Sequence, residues 1–491
     1  MRQMLRVLFI HIFILYLNTL CAQSNFNRAD VDSIPSDLPL PKITFLRNTA
    51  DGYIFAAVPY WGQGRSYLVV YDNDGKPVFY RRASSTCTDF KMQESGLLTY
   101  FDYASKKYYA LDSSLSLVDS FWVKNGYTTD EHDLKILQNG SVLLIGSDIR
   151  FYDMSQYIQG GDRNASVVVN VIQEQDKNKN VVFEWKSYEH YGITDVGPEV
   201  NLLDQAFVHA HINSVDVDLD GNLVISARNL DEITKIDRKT GTIIWRFGGK
   251  NNQFRYVNDS IGFSAQHAVS ILQNGNVLLY DNGLFHKPSF SRAVEYKLDP
   301  TDKTAVLNWS YRNTPDIASV FWGNAQRLGN GNTFISWGFS DIAATEVDPA
   351  GNKVFEMTFP KDVFSYRVFR FPFRKRNLVS DIKDVNTTSD FTLHQNFPNP
   401  LSAGGGSAYG GNSSTTITYN LPSRSRVRLE IFNLLGQRIT ALVESEQSGG
   451  SHSVVWNASV TSGVYICRLE ATALDNPTKR FLQVQKLMLL R

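Results

Sequence analysis

Three short stretches place histidine beside residues able to hold or move a charged group. They are Asp130-Glu131-His132-Asp133, His209-Ala210-His211-Ile212-Asn213-Ser214 and Gln266-His267-Ala268. A fourth, Gly323-Asn324-Ala325-Gln326-Arg327, has similar surroundings without the histidine. Arg228 ends the apolar run Leu223–Ala227. Neutral imidazoles with Asn213 and Arg228 supply several hydrogen-bond donors and one permanent positive charge. That set fits a tetrahedral oxyanion such as sulfate or phosphate. A histidine can also be the nucleophile of a covalent intermediate. His-x-His suits zinc or another transition metal as well, although Arg228 nearby works against a cation. No run of carboxylates is at hand to cage a hard ion. His190, His286, His394 and His452 read as ordinary core or surface residues, and His209 as a support for His211.

The elements that must position these groups are short strands. Phe207 to Gly249 reads as one four-stranded unit: a strand opened by His209–Asn213, then Leu223–Ala227, Glu232–Asp237 and Thr242–Phe247, joined by Asp-Gly and Thr-Gly turns. Strand alternation would put His209, His211 and Asn213 on one face. The theme recurs in ILQNGSVLLIG around Gly140, DLDGNLVISAR around Gly221, ILQNGNVLLYDNG around Gly275 and RLGNGNTFISWG around Gly331, the last three glycines about 55 residues apart. The longer step from Gly140 to Gly221 leaves room for insertions at Asp153–Asn164 and Tyr188–Gln205. Each unit adds a second turn and a strand bearing Trp or Phe. Trp122, Trp185, Trp245, Trp309 and Trp337 recur there and read as core. Repeats of this length built from short strands predict an all-β, six-bladed β-propeller over residues 41–373. Its blades would bring the histidine stretches to one end of a central channel.

The rest of the chain frames this unit. Its 491 residues carry no net charge, so there is no basic footprint for nucleic acid. Residues 1–22 read as a secretory signal: Arg2 and Arg6, the apolar run Val7–Leu17, then Leu20-Cys21-Ala22. No other segment is apolar enough to span a bilayer, so the mature chain is expected to have no integral membrane segment. Residues 23–40 are a polar lead-in and 374–390 a charged, then Ser/Thr/Asp-rich linker. Residues 391–491 form a second, small β-sandwich module, with strands from Thr415–Asn420 to Gln483–Leu490 and a Gly/Ser-rich insertion at 401–414. Of the three cysteines, Cys87 and Cys467 fall in different modules, so neither a disulfide framework nor a cysteine metal site is expected.

Two family resemblances follow from these motifs. HINSVDVDLDGNLVISARNLDEITKIDRKTGTIIWRFGG, FSAQHAVSILQNGNVLLYDNG, SRAVEYKLD and AQRLGNGNTFISWG, with EHDLKILQNGSVLLIG and SYEHYGITD, resemble the arylsulfotransferase family from about Asp130 to Val347. The resemblance implies a PAPS-independent transfer of a sulfuryl group from a phenolic sulfate ester to a phenolic acceptor through a sulfohistidine, with no cofactor and no metal. It implies His267 as nucleophile, with His132, His211, Asn213 and Arg228 holding the sulfuryl oxygens and stabilising the transition state. Phe263, Tyr280, Phe285 and Trp322 flank these motifs and could stack on an aryl group or pack in the core. The N-terminal β-sandwich and the near-site disulfide of some members have no counterpart here, which bears on dimerisation and acceptor choice rather than on the chemistry. In the second module, LHQNFPNP, TTITYNLP, VRLEIFNLLGQRITALV, GGSHSVVWN and SGVYICRLEA resemble the type A sorting domain of the type IX secretion system. That implies export by the signal and then across an outer membrane by the secretion machinery, to the cell surface or the medium. Two readings stay open beside this one: a metal-dependent hydrolase using the His cluster, and a non-catalytic ligand-binding propeller.

Overall fold

A computed structural model describes residues 34–372 apart from 61–64 and 84, and residues 391–490 apart from 394–395, 397–400, 403–413, 434–435, 462 and 476–479. The expected signal, the linker and most of the Gly/Ser-rich insertion lie outside the described residues. The chain divides into two compact units, Met1–Leu378 and Val379–Arg491. The described residues are all-β, and none of their helices is long and apolar enough to cross a membrane.

Among the described residues of the first unit, six sheets of four or five strands follow one another. The turns that build them share one geometry. Gly140, Gly221, Gly275 and Gly331 all adopt positive φ, and their N–H groups bond back to Leu137, Asp218, Leu272 and Leu328 at 2.8–3.0 Å. Glycine adopts this conformation without a Cβ clash, which is why the repeat was readable from Asn-Gly and Asp-Gly pairs. Phe207–Gly249 yields the expected meander, with strands Ile212–Val217, Leu223–Ala227, Glu232–Ile236 and Ile243–Gly248 in that order. Its first strand starts later than expected. His211 has φ +51° and stands before the strand, so alternation does not govern His209 and His211. Apolar clusters join neighbouring sheets; Leu143, Ile145, Ile172 and Trp185 meet Ile212, Val215, Leu223 and Ile225. Burial of such side chains is the main stabilising term, roughly 1.5–3 kcal/mol each. Trp185, Trp245 and Trp337 belong to this core, whereas Trp122 and Trp309 are only half-buried.

One strand of each sheet faces inward. Cys87–Met92, Thr128–Ile136, Ile212–Val217, His267–Ile271, Asn324–Arg327 and Val368–Phe371 touch in that order, and the last touches the first. The arrangement is propeller-like. Four of the six inner strands are bulged. Asp89 and Phe90 face one partner residue, Asp130–Asp133 face Ile145 alone, Asn213 is one residue in excess, and Ala268 and Val269 face Leu279. Asn324–Arg327 and Val368–Phe371 pair without interruption.

The second unit has a three-stranded and a five-stranded sheet, the latter ordered Leu401–Ser402, Arg480–Leu490, Gly463–Ala473, Ser425–Asn433, Arg438–Gln447. Ile417, Tyr419, Leu421 and Trp456 of one sheet pack on Val427, Leu429, Leu469 and Leu487 of the other. This is a β-sandwich. Cys87 and Cys467 are both free and buried.

Candidate active site

The bulges aim three imidazoles into one space. A bulge bends its strand and redirects a side chain, and bulges gather beside active sites. His132 lies in the Asp130–Asp133 bulge, His211 just before the Asn213 bulge, and His267 just before the Ala268 bulge. The ring centroids of His132 are 4.8 Å from His211 and 6.4 Å from His267, and those of His211 and His267 are 6.3 Å apart. His132 and His211 are partly exposed, while His267 is buried.

The hydrogen bonds fix what each ring can do. Asn282 donates through Nδ2 to the carbonyls of Ser319 at 2.8 Å and Trp322 at 3.1 Å. Its Oδ1 therefore faces His267 Nδ1, 2.7 Å away, and must accept a proton from it. That leaves the His267 Nε2 lone pair free. Burial, then the positive charges of Arg228 and His132, hold the His267 pKa well below the ordinary imidazole value, so the ring is neutral. His211 is depressed in the same way, by burial and then by His132, Arg228 and His267. His132 behaves oppositely. Its Nδ1 contacts Asp130 Oδ1 at 2.6 Å, and its backbone N–H donates to the same oxygen at 2.9 Å. Burial opposes its charge, but the Asp130 carboxylate, with Glu131, outweighs burial and raises the pKa. His132 Nε2 and His211 Nε2 are 3.2 Å apart, within hydrogen-bond distance.

Asn213 and Arg228 take places that the sequence did not foretell. The Asn213 side chain serves the backbone around the nucleophile candidate: Nδ2 donates to the Gln266 carbonyl at 2.7 Å, and Oδ1 accepts from Ala268 N–H at 3.4 Å. It brackets His267. Arg228 is buried and makes a two-point pair with Glu199, at 2.5 and 3.0 Å, with a further bond to the Val320 carbonyl at 3.1 Å. Its Nε–H is buried and has no partner among the described residues. His209 is separate: it contacts the Gly192 carbonyl at 2.9 Å and gives His211 no hydrogen bond.

Several residues at the site escaped the sequence reading. Asn282 stood in YDNG, at the end of the stretch around Gly275, and drew no reading of its own. Glu199 stood in the Tyr188–Gln205 insertion. Arg367 is buried, donates to the Asn213 carbonyl at 2.8 Å, and lies near Asp89 and Asp133 at 3.4 and 3.5 Å. Lys91 completes that cluster, 2.7 Å from Asp89. Tyr366 donates to the His132 carbonyl at 3.1 Å and sets its ring edge-on to His132, 5.7 Å between centroids. Trp322 reaches Tyr366 at 6.4 Å and Phe339 at 5.8 Å, so an aromatic wall with a half-exposed edge begins at the histidines. Of the other flanking aromatics, Phe263 packs on Phe247 and Tyr296, Tyr280 is fully buried against Trp337, and Phe285 is exposed.

This is an all-β scaffold presenting a neutral, oriented imidazole beside one whose proton affinity Asp130 raises and a buried guanidinium, a site suited to an anionic group in transfer. The chain belongs to the arylsulfotransferase (ASST) family, which its residues 47–367 match. No curated protein matches it. Among solved structures, a Bacteroides caccae protein of unknown function is 13% identical, covers 66% of this chain and 99% of its own, and gives a TM-score of 0.42. A catalytically inactive virginiamycin B lyase from Staphylococcus aureus with quinupristin is 8% identical over 69% of this chain and 90% of its own, at 0.35. A Xanthomonas campestris gluconolactonase is 10% identical over 68% and 100%, also at 0.35.

Proposed function

We propose that this protein is an exported aryl-sulfate sulfotransferase, a six-bladed propeller that works through a sulfohistidine on His267 and without PAPS. The observation that carries the reading is the His267 tautomer fixed by Asn282, with a free Nε2 among His132, His211 and Arg228. His267 Nε2 attacks sulfur, an N–S bond forms, and the bond from sulfur to the aryl oxygen breaks. The aryl oxygen leaves with the electron pair and takes the His132 proton. His132, now neutral, accepts the proton of the incoming phenol as its oxygen attacks sulfur and the N–S bond breaks. Arg228 Nε–H is the donor for the sulfuryl oxygens, and the wall Trp322–Phe339–Tyr366 receives an aryl ring. The motifs of 391–491 support a sorting-domain role for the second unit, with the type IX machinery as its partner.

The test is nitrophenol release from p-nitrophenyl sulfate by the purified mature chain, with and without added phenol. Release that rises with phenol and vanishes in His267→Ala is expected. Activity retained in that variant would sink the assignment. Deletion of 391–491 is expected to trap the protein in the periplasm; secretion without that unit removes the sorting role.

A further inference from the structure

We propose that His132, His211 and His267 also bind one divalent transition-metal ion, zinc foremost, in a mode that excludes the sulfuryl substrate. This rests on the same three side chains as the proposed function but asks a separate question of them.

The ligand atoms of the three histidines lie within 4.8 Å of one another. Two nitrogens bound to tetrahedral zinc at about 2.0–2.1 Å stand about 3.4 Å apart. His132 Nε2 and His211 Nε2 are already 3.2 Å apart. The outer contacts match those that orient metal-binding imidazoles: Asp130 holds His132 Nδ1 at 2.6 Å, and Asn282 holds His267 Nδ1 at 2.7 Å. Both rings therefore present Nε2 inward, and such second partners raise metal affinity. On sequence alone Arg228 argued against a metal. In the fold its guanidinium is paired with the Glu199 carboxylate, and Asp130 and Glu131 stand beside His132. Three imidazoles leave a fourth position open for water or a substrate oxygen. Zinc displaces the Nε2 proton of His132 to solvent. With His267 Nε2 on the metal, its lone pair is no longer available to sulfur. Zinc and sulfuryl transfer then compete.

Calorimetric titration of the full mature chain with zinc chloride tests this. One zinc per chain is expected, with a Kd of about 1 µM or tighter. His211→Ala, shown to be folded by circular dichroism, should weaken binding at least about 100-fold, and Asp130→Asn roughly 10–100-fold. Zinc should inhibit phenol-stimulated nitrophenol release over the same range, and chelator should restore it. No zinc uptake, or uptake unchanged in His211→Ala, overturns the inference while leaving the transferase reading intact. Zinc binding lost in His211→Ala, in a protein that transfers no sulfuryl group even with chelator, supports the metal site and removes the transferase reading instead.

Discussion

The bulged and the straight inner strands of the first unit divide its labour. The four bulged strands carry or adjoin Asp89, His132, Asn213 and His267, and positive φ angles accompany them: +53° at Asp89, +51° at His211 and +56° at Ala268. For residues other than glycine this conformation costs on the order of 1–2 kcal/mol. The straight strand Asn324–Arg327 has regular pairing and no histidine, and the straight strand Val368–Phe371 follows Arg367. Bulges thus sit where a polar side chain must leave the alternation of the strand. A left-handed residue alone does not mark them, since Trp322 before the straight strand Asn324–Arg327 has φ +66°. Regular pairing persists where the strand only closes the wall. Placement, rather than residue type alone, makes these imidazoles a site.

The largest effect should come from the bulged side. His267→Ala is expected to lower sulfuryl transfer by about 10⁴-fold or more while the melting temperature moves by only a few degrees, measured by nitrophenol release and calorimetry. Next is Asn213→Ala, which frees the backbone on both sides of His267. We expect kcat to fall roughly 10–100-fold with KM little changed, and stability to drop by about 1–2 kcal/mol. A fall in KM-related binding with kcat intact would mean that Asn213 contacts the substrate directly.

A pH measurement sharpens the comparison further. Asp231, itself at φ +53°, accepts the Ala265 N–H at 2.6 Å and so anchors the approach to the His267 strand. Burial pushes its carboxyl up to about 6. A carboxyl whose folded value lies above its unfolded value favours folding when protonated. Its contribution is therefore full below about pH 4 and is lost as pH rises through about 6. Asp231→Asn should match the parent in stability at pH 4 and exceed it by about 3 kcal/mol above pH 7, read by denaturant unfolding at both pH values. Equal stability across that range would show that Asp231 stays solvated.

Much of this was legible in the chain. Asn-Gly and Asp-Gly pairs marked the turns, and the recurrence of histidine before those turns marked the cluster. What was hidden follows from the bulges. Alternation placed His209 beside His211, but a left-handed residue before Ile212 separates them, and no propensity scale signals that. Asn282 and Glu199 act through tertiary contacts, the first from the end of the stretch around Gly275 and the second from an insertion. Asn213 and Arg228 were recognisable as polar groups of the site, yet their partners, the Gln266 backbone and Glu199, depend on neighbouring sheets or distant loops. Local pattern encodes which strands form; the register shifts that aim their side chains arise only when the sheets meet.

The smallest effect belongs to the straight strand. Asn324 is 2% exposed, and neither its Oδ1 nor its Nδ2 has a hydrogen-bond partner among the described residues. It occupies the position in its repeat that corresponds to the histidine-bearing stretches. If the straight strand only completes the wall, Asn324→Ala should leave kcat/KM within about threefold of the parent. An amide buried without partners is costly, so the variant should be as stable as the parent or up to about 1 kcal/mol more so. Denaturant unfolding and the nitrophenol assay read both. A drop in kcat/KM of tenfold or more would erase the distinction between the two kinds of strand, because it would place an unbulged side chain among the groups that hold the substrate.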